Sequence, residues 1–340
     1  MELIHADAAF HEKGVMDFIR FDAVISLTLD IEKNDWELQI PVEDLGRYEL
    51  TLGDYLYIPG TEWGGRVEKF VHLSDKGLVK VSGVNWRGML LRKVISPPAG
   101  QTHRVFTSQS VGDIITEMLA PFGGVFALVR GESADESTVC ELRKYRYQNV
   151  LEAISGLLDE MGDRMEFMLD PEQRCVLLYI RKVVDRSETI ELSGDYDLAY
   201  TSTKADAGIN HLIALGRGEQ ENRVVRHLYL LPDGSITENA NADGVASGVD
   251  ERAMVYDYSN YEYESELMRY AKKKLLKYGV QNEIEFHFNS SDIDLPLGDK
   301  VGIRDRLTGM AAVKTIAEKV LTVSSDGMSL TYSVGQTESI

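Results

Sequence analysis

The residues best suited to chemistry in this chain sit in patterns that each stop short of a working site. His11 and Glu12 open a string like the zinc motif HExxH, but Gly14 and Val15 follow, so the second histidine ligand is missing. Gly216, Gly218 and Glu221 imitate the start of a dinucleotide fingerprint. The third glycine is absent, and the next residues alternate as a strand where a phosphate-binding helix should open. A nucleophile elbow needs GxSxG, and the nearest string, GESAD at 131–135, lacks the second glycine. No GxxxxGK phosphate loop occurs. In the loop 239–250, Asn239, Asn241, Asp243, Gly244 and Asp250 fall at positions 1, 3, 5, 6 and 12 of a calcium loop. Asparagine at the first position and a short aspartate at the last weaken that match, and whether the loop holds a cation is left open. The seven histidines are scattered, and His72, His227 and His287 fall on alternating strand patterns where a structural or exposed imidazole is expected. The pair Asp292 and Asp294 lies beside a strand in a chain with 55 acids, where such pairs arise without catalytic purpose. The expectation is therefore no catalytic residue, no cofactor and no metal site.

Composition narrows the remaining classes. The chain has 340 residues, 44% hydrophobic and 27% charged, an ordinary globular balance with length for two or three domains. Apolar runs stop at about five residues, as at 176–180, where a membrane-spanning helix needs about 20, so no membrane insertion is expected. The amino terminus mixes acids and bases and lacks the apolar stretch of a secretory signal, which argues against standard export. The net charge of −19 disfavours gripping nucleic acid, because an acidic surface repels phosphate. It remains compatible with a channel past which DNA slides without specific binding. Cys140 and Cys175 are too few for a disulfide framework, and Cys175 opens the apolar run CVLLYI, which reads as a buried thiol.

Along the chain, period two dominates first. Residues 21–40 alternate as two strands of a half-buried hairpin, and further strands follow at 54–58, 66–73 and 78–84. The cluster SPPAG at 96–100 marks a boundary. Beyond it Val111, Ile114, Ile115, Met118 and Leu119 keep a helical period behind the cap Ser110 and Asp113. A second helix starts at Asn149 and Glu152, buries Val150, Ile154, Leu157, Leu158 and Met161, and stops at Gly162. A hairpin turns at Asp170, Pro171 and Glu172, so residues 99–195 read as a separate α+β unit. Strands return at 210–216 and 223–231. One helix, at about 260–278, carries the capping pair Ser259 and Glu262, with Lys272, Lys273, Lys274 and Lys277 at its negative end.

An internal echo links the two ends. LTLGDYLYI at 50–58 matches LPLGDKVGI at 295–303, and EKFVHLSDKG at 68–77 matches EKVLTVSSDG at 318–327 without a gap, the stretch between being about five residues longer in the second copy. The reading is mixed β and α+β: two related small antiparallel β-barrels flanking an α+β domain. The expected domains are a first β-barrel at 1–98, the α+β domain at 99–195, and a second β-barrel at 196–340 with the inserted helix.

The whole pattern resembles the central baseplate hub proteins of long-tailed phages, the family that includes the amino-terminal part of tail-associated lysins and the hubs of contractile tails. The resemblance is carried by Trp63 and Gly64, by GVNWRGMLLRKVISPP at 83–98 with Leu90, Leu91 and Arg92, by the helix and hairpin at 149–182, by GRGEQENR at 216–223, and by LPLGDKVGI. It implies a non-enzymatic structural hub. Two barrels in each of three subunits would form a pseudo-sixfold ring joining a sixfold tail tube to a threefold tip. The implied partners are the other copies of a homotrimer, a distal tail ring or tube protein, a tape-measure protein and a tip spike or fibre protein. The implied place is the virion tail tip, after assembly in the host bacterial cytoplasm. Many such hubs carry a carboxy-terminal peptidase or glycosidase domain, whereas this sequence stops at Ile340 directly after the second expected barrel. Two rivals remain: a tail-associated peptidoglycan hydrolase with its site in the α+β domain, and a saccharide-binding module using Trp36, Trp63 and Trp86 as exposed stacking platforms.

Overall fold

The computed structural model describes residues 2–16, 22–29, 33–193, 199–203, 208–232, 234–259, 264–279, 283–289, 295–324 and 327–335. The chain divides into two units, one made of residues 1–200, 286–304 and 311–340, the other of 201–285 and 305–310.

The first unit opens with β1 (Leu3–Ala6), β2 (Glu12–Met16), β3 (Asp22–Thr28), β4 (Asp35–Pro41), a short α1 (Val42–Tyr48), β5 (Tyr55–Tyr57), β6 (Gly64–Leu73), β7 (Leu78–Asn85) and α2 (Trp86–Leu90). In β4 the alternation is literal: Trp36, Leu38 and Ile40 are buried and the residues between them are not. Leu3, Ile25, Trp36, Leu38, Leu56, Gly64 and Gly65 together bound a gap of only about 10 Å³, so five strands curl around one packed centre. Asn85 stops β7 and starts α2, its side chain accepting from the Gly88 N–H at 2.9 Å while its amide donates to the Ser26 carbonyl at 2.6 Å.

The middle segment contains β8 (Val94–Ile95), β9 (Arg104–Ser110), α3 (Val111–Leu119), β10 (Phe126–Leu128), β11 (Val139–Tyr145), β12 (Gln148–Asn149), α4 (Val150–Asp159), β13 (Asp163–Asp170) and β14 (Cys175–Lys182). Both helix starts follow the sequence: the Ser110 hydroxyl accepts from the Asp113 N–H at 3.1 Å, and Asn149 Oδ1 accepts from the Glu152 N–H at 2.8 Å. The core does not stop at the boundary expected near residue 98. Ile4, Tyr55, Trp86 and Leu90 share one cluster with Ile114, Ile154, Phe167 and Leu178. The Pro and Gly cluster at 96–100 therefore turns the chain without separating two hydrophobic centres.

The chain continues through β15 (Glu191–Ser193) and β16 (Ala199–Thr203). Then follow β17 (His211–Leu215), β18 (Val225–Leu230), β19 (Ile236–Thr237), β20 (Ala253–Asp257) and α5 (Glu264–Gly279) of the second unit. There Leu267, Ala271 and Leu275, one per helical turn, pack on Leu212, Ala214 and Leu228 of the sheet. Helix α5 matches the expected inserted helix, although Glu262 of its capping pair lies outside the described residues. The last strands are β21 (Glu283–Asn289), β22 (Lys300–Asp305), β23 (Met310–Ser324) and β24 (Gly327–Gly335).

The expectation is two separate closed barrels, but the described sheets are not closed. Strands from both ends form one thirteen-stranded sheet with the order β16-β21-β24-β23-β3-β4-β7-β6-β5-β1-β2, and β15 and β22 branch from β23. The join is β3 on β23, antiparallel, from Thr28 opposite Glu318 to Ala23 opposite Val323. A sheet edge needs a partner for its open N–H and C=O groups, and here each end of the chain supplies it to the other. Among the described residues no helix is long and apolar enough to cross a membrane.

Candidate assembly surface

The two Leu-Gly-Asp segments fold into the same turn. Gly53 and Gly298 have φ of 96° and 95°, a conformation that strains any residue with a Cβ. The Asp54 N–H donates to the Thr51 carbonyl at 3.2 Å, and the Asp299 N–H to the Pro296 carbonyl at 3.2 Å. Gly53 donates to the Val67 carbonyl and Val67 back to Asp54, at 2.8 and 2.7 Å; Gly298 and Ile316 repeat the exchange with Asp299 at 2.9 and 2.8 Å. A β-bulge follows at once in both copies, between Val67 and Lys69 and between Ile316 and Glu318.

These bonds correct the gapless match read from the sequence. They equate Val67 with Ile316, so Glu68 corresponds to Ala317 and not to Glu318. Val67 lies 13 positions after Asp54 and Ile316 lies 17 after Asp299, an excess of four residues, not five. The sequence match slipped by one residue because it aligned the Glu-Lys pairs at 68–69 and 318–319, which the hydrogen bonds do not equate.

The likeness extends beyond the turn. Running outward from the Gly-Asp strands, the neighbours are β1-β5-β6-β7-β4-β3 in the first half and β15-β22-β23-β24-β21-β16 in the second. Six strands correspond in order. Strands β17 to β20 and helix α5 lie in the sequence between β16 and β21, where the first half has only the short β3–β4 connection. The first strand of each set differs in direction: β1 runs antiparallel to β5, whereas β15 runs parallel to β22.

The buried aspartates make different local contacts. Asp54 faces His5, whose Nε2 lies 2.7 Å from Oδ2, and accepts from the Thr51 N–H at 3.0 Å. Burial pushes its carboxyl up, but these hydrogen bonds outweigh it and hold the group below the usual range. Asp299, fully enclosed, accepts from Arg164 Nε at 3.1 Å, Arg186 Nε at 3.0 Å and the Val184 N–H at 3.1 Å. It thereby ties the hairpin of β13 and β14 to the second Gly-Asp turn. A cavity of about 390 Å³ beside it is bordered by Leu29, Arg87, Asp163, Arg164, Leu297 and Lys300. Arg87 donates from Nε to Glu62 at 2.7 Å and from Nη2 to the Met165 carbonyl at 2.7 Å. Burial raises the Glu62 carboxyl against the pull of that guanidinium. Burial likewise raises Asp163, 3.0 Å from Lys182 Nζ, while the same ammonium holds Asp135 low. Arg87, Arg164, Arg186 and Lys182 each meet a buried carboxylate here, so these contacts tie neighbouring segments together through paired charges. Nothing in the residue pattern marks Arg87, Arg164 or Arg186, since arginine reads as surface until a buried carboxylate is known.

The other sequence candidates are dispersed. His11 pairs with Asp7 at 3.1 Å and Glu12 accepts from the Tyr57 hydroxyl at 2.6 Å. Gly216 and Gly218 lie in the connection between β17 and β18, the Gly216 N–H donating to the Val224 carbonyl at 2.7 Å, and only a single short 3-10 turn at Gln220–Asn222 follows before the next strand. In the 239–250 loop, Asn239 Oδ1 is taken by the Asn241 N–H at 3.0 Å. Among the described residues no three His, Cys, Asp or Glu side chains gather into a metal-binding group. Cys140 and Cys175 are buried free thiols, and burial pushes Cys175 up. His227 is not isolated: its Nδ1 lies 2.8 Å from His211 Nε2, and Glu251 lies 2.6 Å from the other side of His211. His287 and the Asp292 and Asp294 pair fall where side chains are not described. Trp36, Trp63 and Trp86 are 4%, 6% and 0% exposed, which removes them as saccharide platforms.

No protein-family model matches this chain, and no curated protein matches it. Solved structures do. The 43 kDa tail protein of prophage MuSo2 from Shewanella oneidensis is similar over 100% of this chain and 99% of its own, with 12% identity and a TM-score of 0.63. The tail protein from Neisseria meningitidis MC58 is similar over 98% and 95%, with 14% identity and a TM-score of 0.55. A chain of the phage p2 virion baseplate in its activated conformation is similar over 100% and 99%, with 12% identity and a TM-score of 0.51. At such identities the likeness is one of fold, and it agrees with the resemblance read from the sequence: the chain has the fold of phage tail and baseplate proteins.

Proposed function

We propose that this chain is a non-enzymatic structural subunit of the tail of a phage or phage-like particle, a hub at the tail tip. Three copies, each contributing an amino-terminal strand set within 1–98 and a carboxy-terminal set that begins at β15 (Glu191–Ser193), with the α+β segment between them, form a pseudo-sixfold ring. That ring joins the sixfold tube to the threefold tip and docks a distal tail ring or tube protein, a tape-measure protein and a spike or fibre. The observation that carries the reading is the six-strand order repeated at the two ends, because a trimer can imitate sixfold symmetry only if each chain holds two alike modules. The net charge of −19 supports a lumen that DNA crosses without sticking. Light scattering on the full chain, alone and with the adjacent tail ring protein, tests the reading. A mass of about 114 kDa is expected, three times the 38.1 kDa chain, and 38.1 kDa in both conditions would overturn it.

A further inference from the structure

Inside one chain, the junction between the two matched strand sets is a strand pair. Strand β3, the last of the first set, lies on the outer edge of β23 opposite Glu318–Val323, and the Leu29 N–H extends the ladder to the Ala317 carbonyl at 2.9 Å. The equivalents of these two strands are β16 and β6, and among the described residues both present an open edge. Strand β16 ends the thirteen-stranded sheet. Strand β6 is ten residues long, but β5 covers only Gly64, Gly65 and Arg66, leaving its far half unpaired on that side among the described strands. With Val67 equivalent to Ile316, the open stretch Lys69–Leu73 matches the part of β23 that β3 covers. Lys69 and His72 are exposed on it.

We infer that β16 of one copy docks antiparallel on the open edge of β6 in the next copy, at Glu68–Leu73, repeating between subunits the β3–β23 pairing seen within the chain. The inference rests on the ring reading and adds the strands that close it. The occupant is a second copy because the equivalent edge, on an equivalent strand, is already filled by the equivalent segment of this same polypeptide. A head-to-tail contact of this kind uses two different surfaces and so generates a closed ring when its rotation allows. It also accounts for an otherwise long, open edge, which a protein ordinarily covers or blunts.

Backbone groups alternate sides along a strand. Because the Ala317 carbonyl faces β3, its counterpart at Glu68 faces the open edge, as do the N–H groups of Phe70 and His72. His72→Pro therefore deletes a donor from the edge without touching the ladder to β7.

The test uses the full-length chain. His72→Cys is combined in turn with Thr201→Cys, Ser202→Cys and Thr203→Cys, since facing residues of antiparallel strands come within about 5.5 Å, the span of a disulfide. At least one combination is expected to give covalent dimers and trimers on a non-reducing gel, and His72→Pro is expected to cut the trimer fraction at least tenfold with an unchanged melting curve of the subunit. A trimer by light scattering that forms no cross-link and ignores His72→Pro overturns the strand pairing while leaving the ring in place. A monomer at every concentration, with and without the adjacent ring protein, overturns both.

Discussion

Arg164 on β13 and Asp299 in the second Gly-Asp turn lie 135 residues apart in sequence and meet at 3.1 Å, with the carboxylate wholly buried. Through this pair the α+β segment holds the carboxy-terminal strands, and Arg186 closes the other side of the same carboxylate at 3.0 Å. Removing the acid takes from Arg164, itself 12% exposed at the side chain, its buried counter-charge and leaves it only the more exposed Glu166 at 3.2 Å. Asp299→Ala is expected to cost about 3–5 kcal/mol, read from urea unfolding, as for other broken buried pairs. A loss below about 1 kcal/mol would show the joint to be incidental.

The paired glycines should respond alike. Alanine at Gly53 or Gly298 must adopt positive φ, and its Cβ would come 3.2 Å from Arg66 or Arg164 respectively. Each substitution is expected to destabilise by about 1–2 kcal/mol in thermal melts, the cost of the left-handed conformation. A strong effect at one turn and none at the other would break the equivalence of the two turns.

The first turn carries a pH signature. Because the folded-state pKa of Asp54 is depressed, its contribution to stability is fully present above the unfolded value, near pH 4, and is lost as pH falls through the folded value. Unfolding followed from about pH 6 downward should show Asp54→Asn losing part of the acid-side slope of the parent protein and matching its slope above about pH 5.

Trp86 should connect the amino-terminal strands to the α+β segment energetically as well as spatially. Its side chain is 0% exposed and belongs to the cluster that contains both Tyr55 and Ile154. Trp86→Ala is expected to cost about 3–5 kcal/mol and to leave a single unfolding transition monitored by tryptophan fluorescence and far-UV dichroism together. Two separated transitions would mean that the segments unfold independently.

Local rules were legible in the sequence because they depend on neighbours. Ser110 with Asp113, Asn149 with Glu152, the alternation of Trp36, Leu38 and Ile40, and the two Gly-Asp turns all lie where residue type and spacing place them. What distance along the chain hides was not legible. Ile25 facing Leu321 joins strands nearly 300 residues apart, and neither strand's pattern names its partner. The same holds for the core that runs past residue 98, for the bulges after Val67 and Ile316, and for the arginines sunk against Glu62 and Asp299. The absence of a nucleophile elbow or phosphate loop was readable directly, since such sites demand contiguous strings.

If each chain holds two modules alike enough for three copies to stand in for six, the assembled particle must display that symmetry. End-on electron-microscope projections of the purified assembly reveal it without recourse to mutants. A closed ring with threefold symmetry and six lobes of similar size around a central opening is expected. Isolated subunits, an open filament, or a ring with three dissimilar pairs of lobes would refute the two-module hub.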